Sequence, residues 1–182
     1  MSLDDHLSVT AYLPISAEGH LLYQYGKPAY IHADQLEVSP DGEWLYYQPC
    51  NGGMSRIKTQ LLDQAFHNSS LRYILGDHVE PFASTASTGG TAIDAHGNMY
   101  ISDTDRMAIS RIAPNGTVTP ILQDHRLAWI DAMWIDSKGT LWMPSAQLNR
   151  GIPFNNGTSK IKTPTHVYTM SLGVGPSKID HK

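Results

Sequence analysis

The sequence holds a single cysteine, Cys50, and so has no means of forming an internal disulfide or a cysteine-based zinc site. Its nine histidines are scattered without a His-x-x-x-His spacing, which leaves zinc no ligand set. Charge is sparse: 16% of the residues are Asp, Glu, Lys or Arg, and the formal net charge is -4. No run of Lys and Arg offsets that acidity, so the electrostatic footprint of a nucleic-acid-binding protein is missing. No window comes near the roughly 18 consecutive apolar residues of a membrane span. The start, Met1-Ser2-Leu3-Asp4-Asp5-His6, lacks the basic residues and apolar stretch of a signal peptide. As written the chain reads as soluble and off the membrane, and any export signal belongs to a longer, secreted or periplasmic parent. A Gly-x-Ser-x-Gly elbow is also missing, since Gly53-Met54-Ser55 has no closing glycine, and with it goes the usual setting of a serine nucleophile.

What the chain does have is 182 residues, 41% of them hydrophobic, enough for one domain with a real core held by packing alone. That core is written as a repeat. In Trp129-Ile130-Asp131-Ala132-Met133-Trp134-Ile135-Asp136-Ser137-Lys138-Gly139-Thr140-Leu141-Trp142, alternating apolar positions lead into a tight turn and out into a second extended run, the pattern of a β-hairpin. Aligned on the turn glycine, Asp34 to Gly42 and Gly89 to Gly97 have the same form, continuing into Trp44-Leu45-Tyr46-Tyr47 and Asn98-Met99-Tyr100-Ile101-Ser102. The units start at 34, 89 and 131, spacings of 55 and 42 residues, which suit propeller blades and exceed leucine-rich or ankyrin repeats. The expected fold is all-β, a propeller with about three four-stranded blades.

Residues 1–32 read as outer strands of an incomplete blade, with turns at Ala17-Glu18-Gly19 and Gly26-Lys27-Pro28. Residues 33–87 form a first blade with strands near 36–38, 45–48, 54–58 and 79–82. Its Thr59-Gln60-Leu61-Leu62-Asp63-Gln64-Ala65-Phe66 carries the apolar spacing of a short helical insertion. Residues 88–124 hold the most regular blade, with strands near 91–93, 99–102, 108–112 and 118–122. Residues 125–172 hold a third, with a long Gly/Asn/Lys/Pro-rich connection from Asn149 to Pro164 and an outer strand at 166–171; 173–182 is expected to be a loose tail. The sequons at Asn68, Asn115 and Asn156 read first as turn positions. Trp129, Trp134 and Trp142 read as blade-to-blade packing.

Ala33-Asp34-Gln35-Leu36-Glu37-Val38-Ser39-Pro40-Asp41-Gly42-Glu43-Trp44-Leu45-Tyr46-Tyr47-Gln48-Pro49 and Ser55-Arg56-Ile57-Lys58-Thr59 resemble the Yellow/major royal jelly protein family, bacterial members above all. The resemblance continues in order through Thr88-Gly89-Gly90-Thr91-Ala92-Ile93-Asp94, Asn98 to Asp103, Ile109-Ser110-Arg111-Ile112 and Gln123 to Asp136, covering roughly residues 30–172. It implies a six-bladed propeller, distantly similar to the gluconolactonase and senescence-marker lactonases, of which this chain would be a C-terminal half. Either a second copy, as a homodimer, or a missing N-terminal half would then complete the ring.

In a propeller the residue that opens each innermost strand sits at the mouth of the central channel; here those are Asp34, Gly89 and Asp131. Two carboxylates facing one opening repel unless a cation lies between them, and Ca²⁺ with oxygen ligands is the natural divalent occupant. The resemblance to the lactonases points the same way, with Asp34 and Asp131 as metal ligands and Asp131 as the candidate catalytic base in lactone hydrolysis. Gly89 departs from that pattern, since those enzymes carry a polar side chain there, and the plainer reading has both aspartates capping turns through backbone N–H groups. Asp103, Gln147 and Asn149, in the loops after the second strands, are the candidate substrate-binding residues, beside Gln48, Asn51 and Asp105. The function expected is binding of a small molecule at the channel mouth with metal-dependent lactone hydrolysis. The alternative is a non-catalytic ligand-binding or secreted structural propeller, and the resemblance also admits aminochrome isomerisation.

Overall fold

The computed structural model describes residues 13–179. Its frame is three antiparallel sheets. The first is β5 (Ala33–Val38), β6 (Trp44–Pro49), β7 (Met54–Lys58) and β8 (Glu80–Ala83), hydrogen-bonded in that order. The second is β9 (Thr91–Ile93), β10 (Met99–Asp103), β11 (Ala108–Ile112) and β12 (Val118–Gln123). The third has three strands, β13 (Trp134–Ile135), β14 (Thr140–Pro144) and β15 (Val167–Ser171). Each sheet is an up-and-down meander, as in a propeller blade.

The hairpins close for one local reason, repeated. Three residues before each turn glycine stands a side-chain oxygen: Ser39, Asp94 and Asp136. Asp94 accepts from the backbone N–H of His96 and Asn98, and Asp136 from those of Lys138 and Thr140, at 2.8–2.9 Å. Ser39 accepts from Trp44 at 2.9 Å across a turn one residue longer. The glycines that follow, Gly42, Gly97 and Gly139, have φ of 78°, 79° and 74°, a left-handed conformation that a Cβ disfavours.

Alternation in the strands then joins the blades. Met99 and Ile101 of β10 meet Tyr46 and Met54 of the first blade, while Tyr100 between them turns to Met133, Ile135, Leu141 and Met143 of the third. The central blade is thus buried on both faces, and each of its large side chains contributes about 1.5–3 kcal/mol of burial. The far face of the first blade is covered differently. The expected insertion is a helical unit, α1 (Thr59–His67) and α2 (Ser69–Tyr73) followed by a 3₁₀ turn at Leu75–His78. Leu61, Leu62, Ala65, Leu71 and Leu75 from this unit pack on Leu45, Tyr47 and Ile57 of the sheet. Asn68 turns out to cap α2, accepting from the N–H of Ser70 and Leu71 at 3.1 Å.

Several expectations need correction. Residues 16–28 form two short hairpins, β1 (Ser16–Ala17) with β2 (His20–Leu21) and β3 (Tyr23–Gln24) with β4 (Lys27–Pro28), hydrogen-bonded to none of the three blade sheets; the expected strand at 8–13 lies almost wholly outside the described residues. Ile15, Ala17, Leu22 and Ala29 fold over one end of the blades against Cys50 and Trp129, so the segment is a cap. The third blade has three strands among the described residues, because the 149–164 connection departs where another would begin. Trp134 and Trp142 sit opposite each other on its outward face, 53% and 42% exposed, and so do not pack one blade on another; of these three indoles Trp129 alone is core. The start of the tail is held: Ala95 N–H donates to Gly175 O at 2.9 Å, Ser177 N–H to Ile93 O at 3.3 Å, and Ser177 is fully buried.

Candidate ligand site at the channel mouth

The three inner strands lie side by side, β9 between β5 and β13, and their opening residues converge. Asp34, Glu37, Gly89, Gly90 and Asp131 line one cavity of about 230 Å³, and every charged residue in its wall is acidic. Asp34 is exposed, and its Oδ2 accepts from Gln35 Nε2 at 2.8 Å. Cys50 Sγ lies 3.4 Å from that same oxygen. Burial pushes the Cys50 thiol up to about 12, and the nearby charges of Asp34 and Asp131 add to the effect. Asp131 is half-buried, which raises its carboxyl above the ordinary carboxylate range; a hydrogen bond from the Ala132 N–H opposes the shift and the charge of Asp34 reinforces it. Asp131 has its place in the cavity wall.

Gly89 is closed off by construction. A Cβ there would stand 2.6 Å from Ile130 O and 2.8 Å from Trp129 Nε1, so no side chain fits. Its N–H donates to Ser102 Oγ at 3.0 Å, and that hydroxyl also bonds Gly90 N–H and Ile130 O, tying the second and third blades beneath the mouth. Among the described residues no group of three or more His, Cys, Asp or Glu is placed to hold a metal ion. The carboxylates of Asp34, Glu37 and Asp131 beside a blocked position at Gly89 do not make up the six to eight oxygens that Ca²⁺ takes.

The other expected site residues lie elsewhere. Asp103 accepts from the N–H of Asp105 and Arg106 and pairs with the Arg106 guanidinium at 3.0 Å, closing a turn. Asp105 holds the cap, accepting from Ser16 Oγ at 2.6 Å and Gly19 N–H at 3.1 Å. Gln147, in a left-handed backbone conformation, donates from Nε2 to Lys162 O at 2.9 Å and accepts at Oε1 from Lys162 N–H and Arg150. Asn149 Nδ2 donates to Glu18 at 3.0 Å. Gln48 is fully buried and accepts from Thr85 Oγ1. Sequence reasoning missed Gln35 and Cys50 as neighbours of Asp34. Part of the signal was there: Ala33 and Pro49 pair across the hairpin, which brings the residues that follow them, Asp34 and Cys50, to the same end of it.

No protein-family model and no curated protein matches the sequence. Solved structures do. A luciferin-regenerating enzyme superposes with a TM-score of 0.54 at 17% identity, over 79% of this chain and 46% of that one. A calcium-binding protein, regucalcin from Agrobacterium tumefaciens, gives 0.53 at 15% identity, over 79% and 47%. A protein assigned to the gluconolactonases gives 0.50 at 10% identity, over 88% and 51%. These likenesses establish the fold: the chain is a partial β-propeller, spanning about half the length of the structures it matches.

Proposed function

We propose that this chain is the ligand-binding half of a Yellow/major royal jelly-type propeller, and that its channel mouth takes a small, positively charged organic molecule. The observation that carries this reading is the wall of the cavity between Asp34 and Asp131, which holds three carboxylates and no basic residue. A cationic ligand relieves the repulsion that Asp34 exerts on Asp131, and an amine of modest size suits a cavity of about 230 Å³. Metal-dependent hydrolysis of a lactone is the second reading, favoured by the likeness to a gluconolactonase-type fold. It requires oxygen ligands from elsewhere, either from a preceding half or from a second copy of the chain. Such a partner would meet the third blade at the Trp134–Trp142 face, because helices already cover the first.

Two assays on the same preparation separate the readings. Calorimetric titration with tryptamine should give saturable binding, and incubation with glucono-1,5-lactone and Ca²⁺ should give no hydrolysis above the buffer rate. Calcium-dependent turnover abolished by Asp131→Asn would replace the binding role with the hydrolytic one.

A further inference from the structure

We infer a second binding site, for a small organic anion, between the cap hairpins and the 148–162 connection. A cavity of about 700 Å³ opens there, within the size range of small-molecule pockets. Its charge is opposite to that of the channel mouth. Arg150, Lys160 and Lys162 line it, and Glu18 is its one carboxylate. Glu18 is already engaged, accepting from Arg150 at 2.7 Å and from Asn149 at 3.0 Å. Neither Lys160 nor Lys162 takes part in an ion pair among the described residues, so both line the cavity with no carboxylate paired to them. In a chain of net charge -4 such a concentration of positive charge is local and specific.

The lysines are exposed, but the backbone that carries them is fixed. Lys160 N–H donates to Arg150 O at 2.8 Å, and Lys162 is held at both its N–H and its C=O by the Gln147 side chain, at 3.1 and 2.9 Å. Gln147 in turn accepts from Arg150 Nη1 at 2.9 Å, so the three cations are set by one network. A second cavity, of about 230 Å³, shares Arg150 and Lys162 in its lining and adds His166 and Arg126, the latter paired with Asp124. In the large cavity, Leu21 and Tyr23 of the cap and Phe154 of the connection give the same lining an apolar part. The occupant this lining fits has a carboxylate or phosphate group for the lysines and an apolar or aromatic body for Tyr23 and Phe154.

The test titrates the intact chain with benzoate, phenylphosphate and neutral benzamide, following both heat and backbone amide resonances. One or both anions should bind saturably and shift the amides of Leu21, Tyr23 and Lys162, with benzamide leaving them in place; which anion binds more tightly identifies the headgroup. The double variant Lys160→Glu/Lys162→Glu should weaken anion binding by about tenfold or more without lowering the thermal midpoint, since both side chains are exposed. Tyr23→Ala should weaken phenylphosphate and leave inorganic phosphate unchanged. Equal binding of benzamide, anion binding indifferent to the double variant, or no saturable binding of either anion would each overturn the site.

Discussion

Cys50 Sγ lies 3.4 Å from Asp34 Oδ2, a thiol held against a carboxylate at the rim of an acidic cavity. Burial keeps the thiol protonated, pushing it up to about 12, and the neighbouring charge of Asp34 adds to the effect. Burial does the same for Tyr47 and Tyr100, both pushed up to about 12.

These three groups set the alkaline limit of the fold. In the unfolded chain the thiol ionises near 9.0 and the phenols near 10.0, whereas the folded chain keeps all three protons to about 12. Between those values the folded state binds more protons, so stability falls as pH rises. Denaturant midpoints should decline from pH 9 upward, with Cys50→Ser flattening the first part of the decline. Iodoacetamide should leave Cys50 unmodified in the native protein and react once it unfolds; rapid native alkylation would contradict its burial.

Asp131 works in the same direction at lower pH. Its folded carboxyl titrates above the unfolded value of 3.8, so stability falls as pH rises from 3.8 through the folded value, and the cost of the charge is fully present above it. Asp131→Asn should raise the thermal midpoint at pH 7, and the gain should shrink as pH falls through the folded value and be largely gone near 3.8. A residue that stabilises better when neutralised is what a binding site retains. A midpoint lowered at pH 7 would show the carboxylate to be a structural cap first.

Gly89 was legible as a departure from the lactonase pattern, but its cause was not. The sequence marks it as the start of an inner strand; only the fold brings Trp129 Nε1 to 2.8 Å from where a Cβ would stand. Gly89→Ala should cost about 1–3 kcal/mol by overpacking, read as a lower denaturant midpoint. Gly89→Asn should cost at least as much and confer no calcium binding.

The same division runs through the chain. Blades were readable because Ser39, Asp94 and Asp136 and the glycines after them encode each turn locally, and because apolar alternation through Met99, Tyr100 and Ile101 encodes which face each side chain takes. Asp34 and Asp131 followed from that repeat and do line one cavity. The cap, the held tail and the Glu18–Arg150 pair join residues far apart in sequence, with no periodicity to announce them. Asp103, Gln147 and Asn149 were placed by loop position alone, and loop polar groups most often satisfy nearby backbone, as Asp103 and Gln147 do here.

Trp134 and Trp142 bear on partners. Helices cover the first blade, so the proposed pairing of blade faces would use the third. Sedimentation equilibrium should show a concentration-dependent dimer that Trp134→Ser/Trp142→Ser abolishes. A monomer at every concentration, with or without Ca²⁺, would mean that further blades come from a longer chain.

The most direct test of the channel-mouth site is to follow backbone amide resonances while adding tryptamine. Saturable shifts at Gly89, Gly90, Thr91 and Ala132, lost in Asp34→Asn/Asp131→Asn, are the predicted result. Shifts confined to other surfaces, or the same shifts in the double variant, would contradict it.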